Sequence, residues 1–318
     1  MTPPRFVDLV GEYLTVRRGL GFDLDTPGWQ LMDFARYADR IGHRGSVTTD
    51  LAVQWASASR STDPAQAVRR LSVVRSFARY RAAFDAATEI PPTDLLGRLP
   101  GRKPPHIYSA AEIAALLREA RRLYPRHGLR PETYVALFSL LASTGLRLSE
   151  ACHLLPCDVD LANGILTVRE SKFRKSRLIP LHPTGTVALI RYVACRDRRR
   201  APAGPVAFFR TDGASALTRA AVEKTFSRLR HRLGWSAAGR ARRPRVHDLR
   251  HTFAVRRLLR WAEEPADVDR KILTLATYLG HAKVSDTYWY LSAIPELMAV
   301  TAQRFEQFAR SVQEADAS

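Results

Sequence analysis

Cysteine is scarce in this chain, with three in 318 residues: Cys152, Cys157 and Cys195. None of them is paired at C-x-x-C spacing, which argues against a disulfide framework or a cysteine zinc site and leaves reduced thiols in or near a core. Long apolar runs are missing as well. None reaches the ~18–20 residues of a membrane span, and no basic-then-apolar leader opens the chain, so a cytoplasmic protein is expected. Internal repeats and low-complexity segments are absent. Acidic residues are too few to balance the basic ones: 31 Asp and Glu face 50 Lys and Arg, a net charge of +19. Residues 1–100 hold 13 basic and 11 acidic side chains, whereas the remaining 218 hold 37 and 20. Drift in a GC-rich genome accounts for arginine over lysine but not for an excess gathered in one part of the chain. A polyanionic partner, nucleic acid, is the reading that fits.

What is present is the composition of a soluble globular protein, 46% hydrophobic and 25% charged, long enough for two domains. Helical spacing of Phe6, Leu9, Val10, Tyr13 and Leu14 predicts a first helix. Trp29, Met32, Phe34 and Ala35 mark a second. Thr49 and Asp50 read as the N-cap of a third carrying Leu51, Val53 and Trp55. A fourth starts near Pro64, with Val73, Val74, Phe77, Tyr80 and Phe84 on one stripe. Arg75 and Arg79 are expected to point away from that stripe, with Arg69 at its edge. No carboxylate between Pro64 and Phe84 pairs with them, so a solvated face and a phosphate-facing one are both open.

The stretch from Pro91 to Pro105, with paired prolines and the basic Arg102 and Lys103, cannot be helical and reads as a linker. It separates a helical domain at 1–95 from a second domain at 108–318, with the linker assigned to 96–107. Ser109 to Glu112 reads as a capping box opening the second domain. A buried helix from Glu132 to Ser143 ends at Gly145, a left-handed C-terminal position. Residues 164–170 and 175–181 read as two strands joined by a short basic turn. Helices are expected at roughly 184–196, 218–233, 247–262, 267–279 and 295–311. The expected class is mainly α with a small antiparallel sheet.

The second half presents Arg147, Lys172, His247, Arg250, His281 and Tyr290 in order. Attack on a phosphodiester builds negative charge on the non-bridging oxygens, which arginine can grip as a fork. A tyrosine is a group that can attack. The carrying segments are T-G-L-R-L-S-E (144–150), S-K-F-R-K-S-R-L-I-P-L (171–181), H-D-L-R-H (247–251) and L-G-H-A-K-V-S-D-T-Y-W-Y (279–290). This set resembles the tyrosine recombinases, also called the phage-integrase family. The resemblance spans roughly 108–292, and residues 1–95 match the family's helical core-binding (SAM-like) domain in size, helical content and placement.

The resemblance implies a helical DNA-binding domain joined to a mixed α/β catalytic domain. It also implies strand breaking and rejoining through a 3′-phosphotyrosyl intermediate, needing no cofactor and no metal. By it, Arg147 and Arg250 clamp the scissile phosphate, and His247 binds it and manages protons. His281 contacts a non-bridging oxygen, and Tyr290, nine residues past L-G-H, is the nucleophile, with Tyr288 as the nearby rival. Lys172 is the general acid for the 5′ oxygen, with Lys175 as fallback. Phe173 and Arg174 replace the usual small turn residues there. Glu150 either orients Arg147 or is a plain salt-bridge partner, and His251 is expected to pack or hydrogen-bond behind the site. Arg69, Arg75, Arg79, Arg102, Lys103, Arg174 and Lys175 are candidate DNA contacts.

The implied partner is double-stranded DNA with inverted-repeat core sites, gripped by two domains with the linker crossing the duplex. A tetramer on two sites and accessory DNA-bending proteins complete the expectation, in a nucleoid-associated setting. The amphipathic segment 295–310, with Leu297, Met298, Thr301, Phe305 and Phe308 on one stripe, docks either on a neighbouring protomer or on its own domain. Two rival functions stay open: a catalytically idle DNA-binding protein of this fold and a type IB topoisomerase. Two metal motifs are weaker. His247 and His251 resemble a zinc helix, but an arginine stands between them. D-V-D-L-A-N-G (158–164) resembles a calcium loop, but Arg169 stands where the bidentate glutamate belongs.

Overall fold

The computed structural model describes residues 4–59, 61–63, 65–101, 103–171, 175–199, 207–236, 243–263, 268–280, 283–293, 298 and 306. The chain forms two compact units, Met1–Arg102 and Lys103–Ser318, so the division falls inside the Pro-rich stretch. Among the described residues no helix is long and apolar enough to cross a membrane.

The first unit contains α1 (Phe6–Gly19), α2 (Asp25–Arg40), α3 (Thr49–Ser57) and α4 (Ala65–Arg81). Their inward faces meet in one core, where Phe34 packs edge-on against Phe6 at 5.9 Å and against Trp55 at 5.4 Å. Three expectations are corrected here. Trp29 is 65% exposed. The buried stripe of α2 is Leu31, Phe34, Ala35 and Ala38, and at 100° per residue Trp29 lies about 200° from Leu31, on the opposite face. The cap of α3 is Thr48, whose hydroxyl accepts from the Leu51 N–H at 3.2 Å, one residue ahead of the expected pair. Arg75 does not point away from the core. It shares the stripe of Leu71, Val74 and Ala78 and is 7% exposed. Its guanidinium donates to the carbonyls of Pro91 (2.7 Å), Pro92 (2.6 Å) and Thr93 (3.3 Å). A buried guanidinium needs acceptors, and this extended segment supplies them, so Arg75 anchors the chain instead of facing a phosphate.

The second unit opens with α5 (Ala110–Arg121) behind a reciprocal capping box, Ser109 Oγ accepting from the Glu112 N–H and Glu112 Oε2 from the Ser109 N–H. Next comes α6 (Arg130–Thr144), buried on nearly every side and packed against α5, α8 (Pro183–Asp197) and α10 (Asp248–Glu263). After α7 (Leu148–Cys152) and a single 3₁₀ turn, three antiparallel strands follow: β1 (Val159–Asp160), β2 (Ile165–Ser171) and β3 (Lys175–Pro180). The register pairs Leu166 with Ile179 and Val168 with Arg177, then shifts before Ser171 meets Lys175. The stretch once comparable to a calcium loop is β1 and its turn, where Asp160 accepts from Asn163.

The remaining helices are α9 (Arg219–Arg232), α11 (Val268–Leu279) and α12 (Ser285–Ala293). No helix is expected over α12 from periodicity. It is nine residues long, and among its described side chains the buried ones, Thr287 and Tyr290, both carry a hydroxyl. The result is a mainly helical protein with one small antiparallel sheet, as the sequence leads one to expect. Apart from Met298 and Glu306, the segment 295–310 lies outside the described residues.

Candidate active site

Two helix ends organise the site. Helix α6 stops at Gly145 with φ +64°, and α11 stops at Gly280 with φ +67°. Both turns are closed to a side chain. A Cβ on Gly145 would lie 2.5 Å from the Phe253 ring, and one on Gly280 would lie 3.1 Å from Arg177 Nη1 and 3.3 Å from Arg147 Nη1. The exposed carbonyls of these ends draw in guanidinium groups, as the negative end of a helix favours cations. Arg250, on α10 and 3% exposed, donates from Nη1 to the Gly145 carbonyl at 2.8 Å and from Nη2 to the Leu279 carbonyl at 2.7 Å. Arg147, at the cap of α7, donates from Nη2 to the Gly280 carbonyl at 2.6 Å. Burial, then the neighbouring Arg147 charge, pulls Arg250 down to about 10, still protonated at neutral pH.

Glu150 ties this pair to the sheet. Its Oε1 accepts from Arg147 Nη1 at 2.8 Å and Arg177 Nη1 at 3.1 Å. Its Oε2 accepts from the Arg147 N–H at 2.9 Å and Arg177 Nη2 at 2.8 Å. Burial alone would raise the carboxyl, but hydrogen bonds from Arg177, the Arg177 charge and the two Arg147 contacts outweigh it and hold Glu150 below its ordinary range. Glu150 is therefore both a salt-bridge partner and the group that orients Arg147. Sequence reading missed Arg177, which also donates from Nε to the Tyr278 carbonyl at 2.8 Å. Its signal was period two: in β3 it shares a face with the buried Ile179.

His247, just ahead of α10, and His251, in its first turn, have their rings in a T-shaped contact at 4.8 Å. His247 lines a cavity of about 540 Å³ with Arg147, Arg219, Arg230 and Arg245, and Glu223 contributes a carboxylate to the wall. The surrounding protein, then the charges of Arg250, Arg245, Arg147 and Arg219, push the His247 imidazole down to about 4. Its surface stays open to water. The concave wall reconciles these facts, since a ring in a basic pocket can meet solvent while flanked by protein and like charge. His251, expected to pack or hydrogen-bond behind the site, has its Nδ1 2.7 Å from the Tyr290 hydroxyl. Tyr290, from α12, is 2% exposed, whereas Tyr288 is on the exposed face of that helix. Asp248, the carboxylate of the zinc-like motif, is engaged by Arg245 through the main-chain N–H at 2.8 Å and Nη2 at 2.7 Å.

Other expected residues fall elsewhere. Lys172, Arg174, His281 and Arg102 lie outside the described residues, as does the side chain of Lys175. Arg79 and Lys103 are exposed, and Arg69 pairs with Asp63 at 2.8 Å on the surface. The structure thus brings together Arg147, Glu150, His247, Arg250 and, through His251, Tyr290. Among the described residues no group of three or more His, Cys, Asp or Glu side chains is placed to hold a metal ion.

Residues 109–296 match the model of the phage integrase family. The y4rB protein of Sinorhizobium fredii, provisionally named an integrase/recombinase, is 41% identical over 95% of this chain and 97% of its own length. A tyrosine recombinase XerD of Mycobacterium tuberculosis is 30% identical over 88% and 90%. Among solved structures, the Tn1549 transposon integrase in complex with transposon right end DNA superposes with a TM-score of 0.66 at 18% identity, covering 97% of this chain and all of that one. XerH bound to a palindromic difH substrate, a post-cleavage complex, gives 0.58 at 20% identity over 84% and 75%.

Proposed function

The chain belongs to the phage integrase family, the tyrosine recombinases, and from that premise we propose that it is a site-specific recombinase that cleaves and rejoins DNA through Tyr290. The observation that carries this reading is the Arg147–Arg250 pair. Both are held by the carbonyls of two helix ends; Arg147 and His247 line one basic cavity, Arg250 is buried behind these contacts, and the Tyr290 hydroxyl lies one histidine away. Fixed cations of this kind stabilise charge as it develops on a phosphorane-like transition state, without reorganising during the reaction.

In the proposed mechanism the scissile phosphate enters the cavity and is gripped by Arg147, Arg250 and His247, with His281 on a non-bridging oxygen. Tyr290 Oη attacks phosphorus and the 5′ oxygen leaves with a proton from Lys172. The phosphotyrosyl bond conserves the energy of the broken linkage, so the 5′ hydroxyl of another strand can attack it and restore the backbone. Glu150 and Arg177 keep Arg147 in place.

The reading extends to the assembly. Family relatives have been captured on a palindromic site, on transposon ends and as a dimer on a core site. The partner proposed here is accordingly double-stranded DNA with inverted-repeat sites, bound by a homo-oligomer that is a tetramer at strand exchange and is assisted by DNA-bending proteins. Exposed basic residues such as Arg79 and Lys103 contribute phosphate contacts. If ~6–10 phosphates are neutralised, affinity falls ~10³–10⁵-fold between ~50 and ~200 mM salt; a nearly flat response would contradict this.

The decisive experiment uses nicked duplexes that trap the intermediate. Wild-type protein should yield a denaturation-resistant protein–DNA adduct that Tyr290→Phe does not form. An adduct surviving in that variant would move the nucleophile to another tyrosine.

A further inference from the structure

The reactive hydroxyl needs a proton acceptor. A phenol with an ordinary pKa of ~10 is protonated at neutral pH, and its attack on phosphorus is assisted by a base within hydrogen-bond reach. The two histidines of the H-D-L-R-H segment are the described candidates, and the structure separates them. His247 faces the arginine cavity, where surrounding protein and four arginine charges disfavour a further positive charge. It is suited to meeting an anion. His251 lies one turn on, touching His247 with one face of its surroundings and Tyr290 with the other: ring centroids are 4.8 Å and 5.5 Å away, and Nδ1 stands 2.7 Å from Tyr290 Oη. Trp289 flanks the same imidazole at 6.2 Å. The phenol itself is held in the cluster of Val255, Leu258 and Leu279 and cannot hand its proton to bulk water from there.

We propose, on the basis of the recombinase reading above, that His251 is a catalytic residue, the general base that accepts the Tyr290 proton at Nδ1 during strand cleavage and returns it during rejoining. The base is the tautomer carrying its hydrogen on Nε2. In cleavage the Oη–P bond forms, the P–O5′ bond breaks, the phenol proton passes to Nδ1, and the leaving oxygen takes a proton from the general acid. In rejoining a 5′ hydroxyl attacks and returns its proton to the deprotonated general acid, the P–Oη bond breaks, and the His251 imidazolium gives its proton back to Oη. The balance closes over the two steps without any added reactant. The division of labour follows from position: of two histidines one turn apart, His247 just ahead of α10 binds the phosphate and His251 in the first turn of α10 serves the nucleophile.

Two measurements on the full chain test this. The first needs no DNA: imidazole ¹⁵N NMR of wild type and Tyr290→Phe. The His251 Nδ1 resonance should be that of an unprotonated, hydrogen-bonded nitrogen and should move when the hydroxyl is removed; an unchanged resonance would overturn the pairing. The second follows adduct formation on nicked duplexes chosen from a randomised inverted-repeat library by binding to the wild-type protein. His251→Ala should lose about 10²–10⁴-fold in adduct rate while DNA binding stays near wild type. His251→Asn keeps a polar atom near the Nδ1 position but cannot take a proton, and should be impaired almost as much. An Asn variant close to the wild-type rate would reduce His251 to a positioning contact and overturn the base role. Absence of any adduct from wild type on DNA that it binds would instead bring down the recombinase reading itself, a distinct result.

Discussion

Arg75 in the first unit and Arg250 in the second are made alike. Each is buried on the inward stripe of a helix, and each donates to main-chain carbonyls, Arg75 to Pro91, Pro92 and Thr93 and Arg250 to Gly145 and Leu279. Their surroundings differ. The three acceptors of Arg75 belong to one extended segment, and its role ends with fixing that segment. The acceptors of Arg250 belong to the ends of two separate helices, α6 and α11, and Arg147, Glu150 and Tyr290 lie within its electrostatic reach. Burial and hydrogen bonding therefore do not distinguish an anchoring arginine from one placed for chemistry. What does is whether the donors gather several elements, and other charges, around one point.

The contrast breaks most sharply in kinetics. Arg250→Lys, which removes the fork, should slow adduct formation by about 10²–10³-fold. Arg75→Met should leave the adduct rate near wild type and instead lower stability in urea by about 1–3 kcal/mol through unsatisfied carbonyls. Equal losses of cleavage in the two variants would erase the distinction.

The glycines sharpen it next. Gly145→Ala meets both a left-handed backbone and the Phe253 ring, whereas Gly97, with φ +85°, has open space around its Cβ position. Urea denaturation should show a loss of about 2–4 kcal/mol for Gly145→Ala and about 1–2 kcal/mol for Gly97→Ala. Similar values would mean that the packing at the site gives way.

Two smaller effects are read in pH. Glu150 is held below its ordinary pKa in the folded protein, so its contribution is present above the unfolded carboxylate range and is lost as pH falls through the folded value. Melting temperatures should separate wild type from Glu150→Gln at pH 7 and draw together as pH falls through the lowered folded value; a constant gap would deny the ion-pair origin. His247 works in a different window. Between about 6.5 and 4 the unfolded chain takes up a proton that the folded one refuses, so stability falls as pH drops across that interval. His247→Gln should flatten the slope there, by a small amount because the ring is open to water. An unaltered slope would mean that the arginines do not bear on it.

Much of the fold is legible because its signals are local. The Ser109–Glu112 capping box, the α6 stop at Gly145 and the β2–β3 pair can each be read from a few neighbouring residues. Helix α12 cannot, since it is short and its described buried side chains, Thr287 and Tyr290, both carry a hydroxyl. Around the site, Arg147, His247, Arg250 and Tyr290 stand out through spacing and company. Arg177 and the contact between His251 and Tyr290 do not, and Arg75 is misread because a guanidinium four residues from another looks the same in sequence whether it is buried or free.

The sequence by itself determined the candidate site side chains, most of the helices that carry them and a charge suited to a polyanion, because these depend on residue type and short-range periodicity. Only the tertiary structure decided which arginine anchors a single segment and which joins two helix ends, and which histidine meets Tyr290. Those outcomes hang on partners far along the chain, with 105 residues between Arg250 and Gly145, 133 between Arg147 and Gly280, and 39 between His251 and Tyr290. A hydrogen bond acts over about 3 Å, so its effect on a side chain exists only once folding has brought the two ends together.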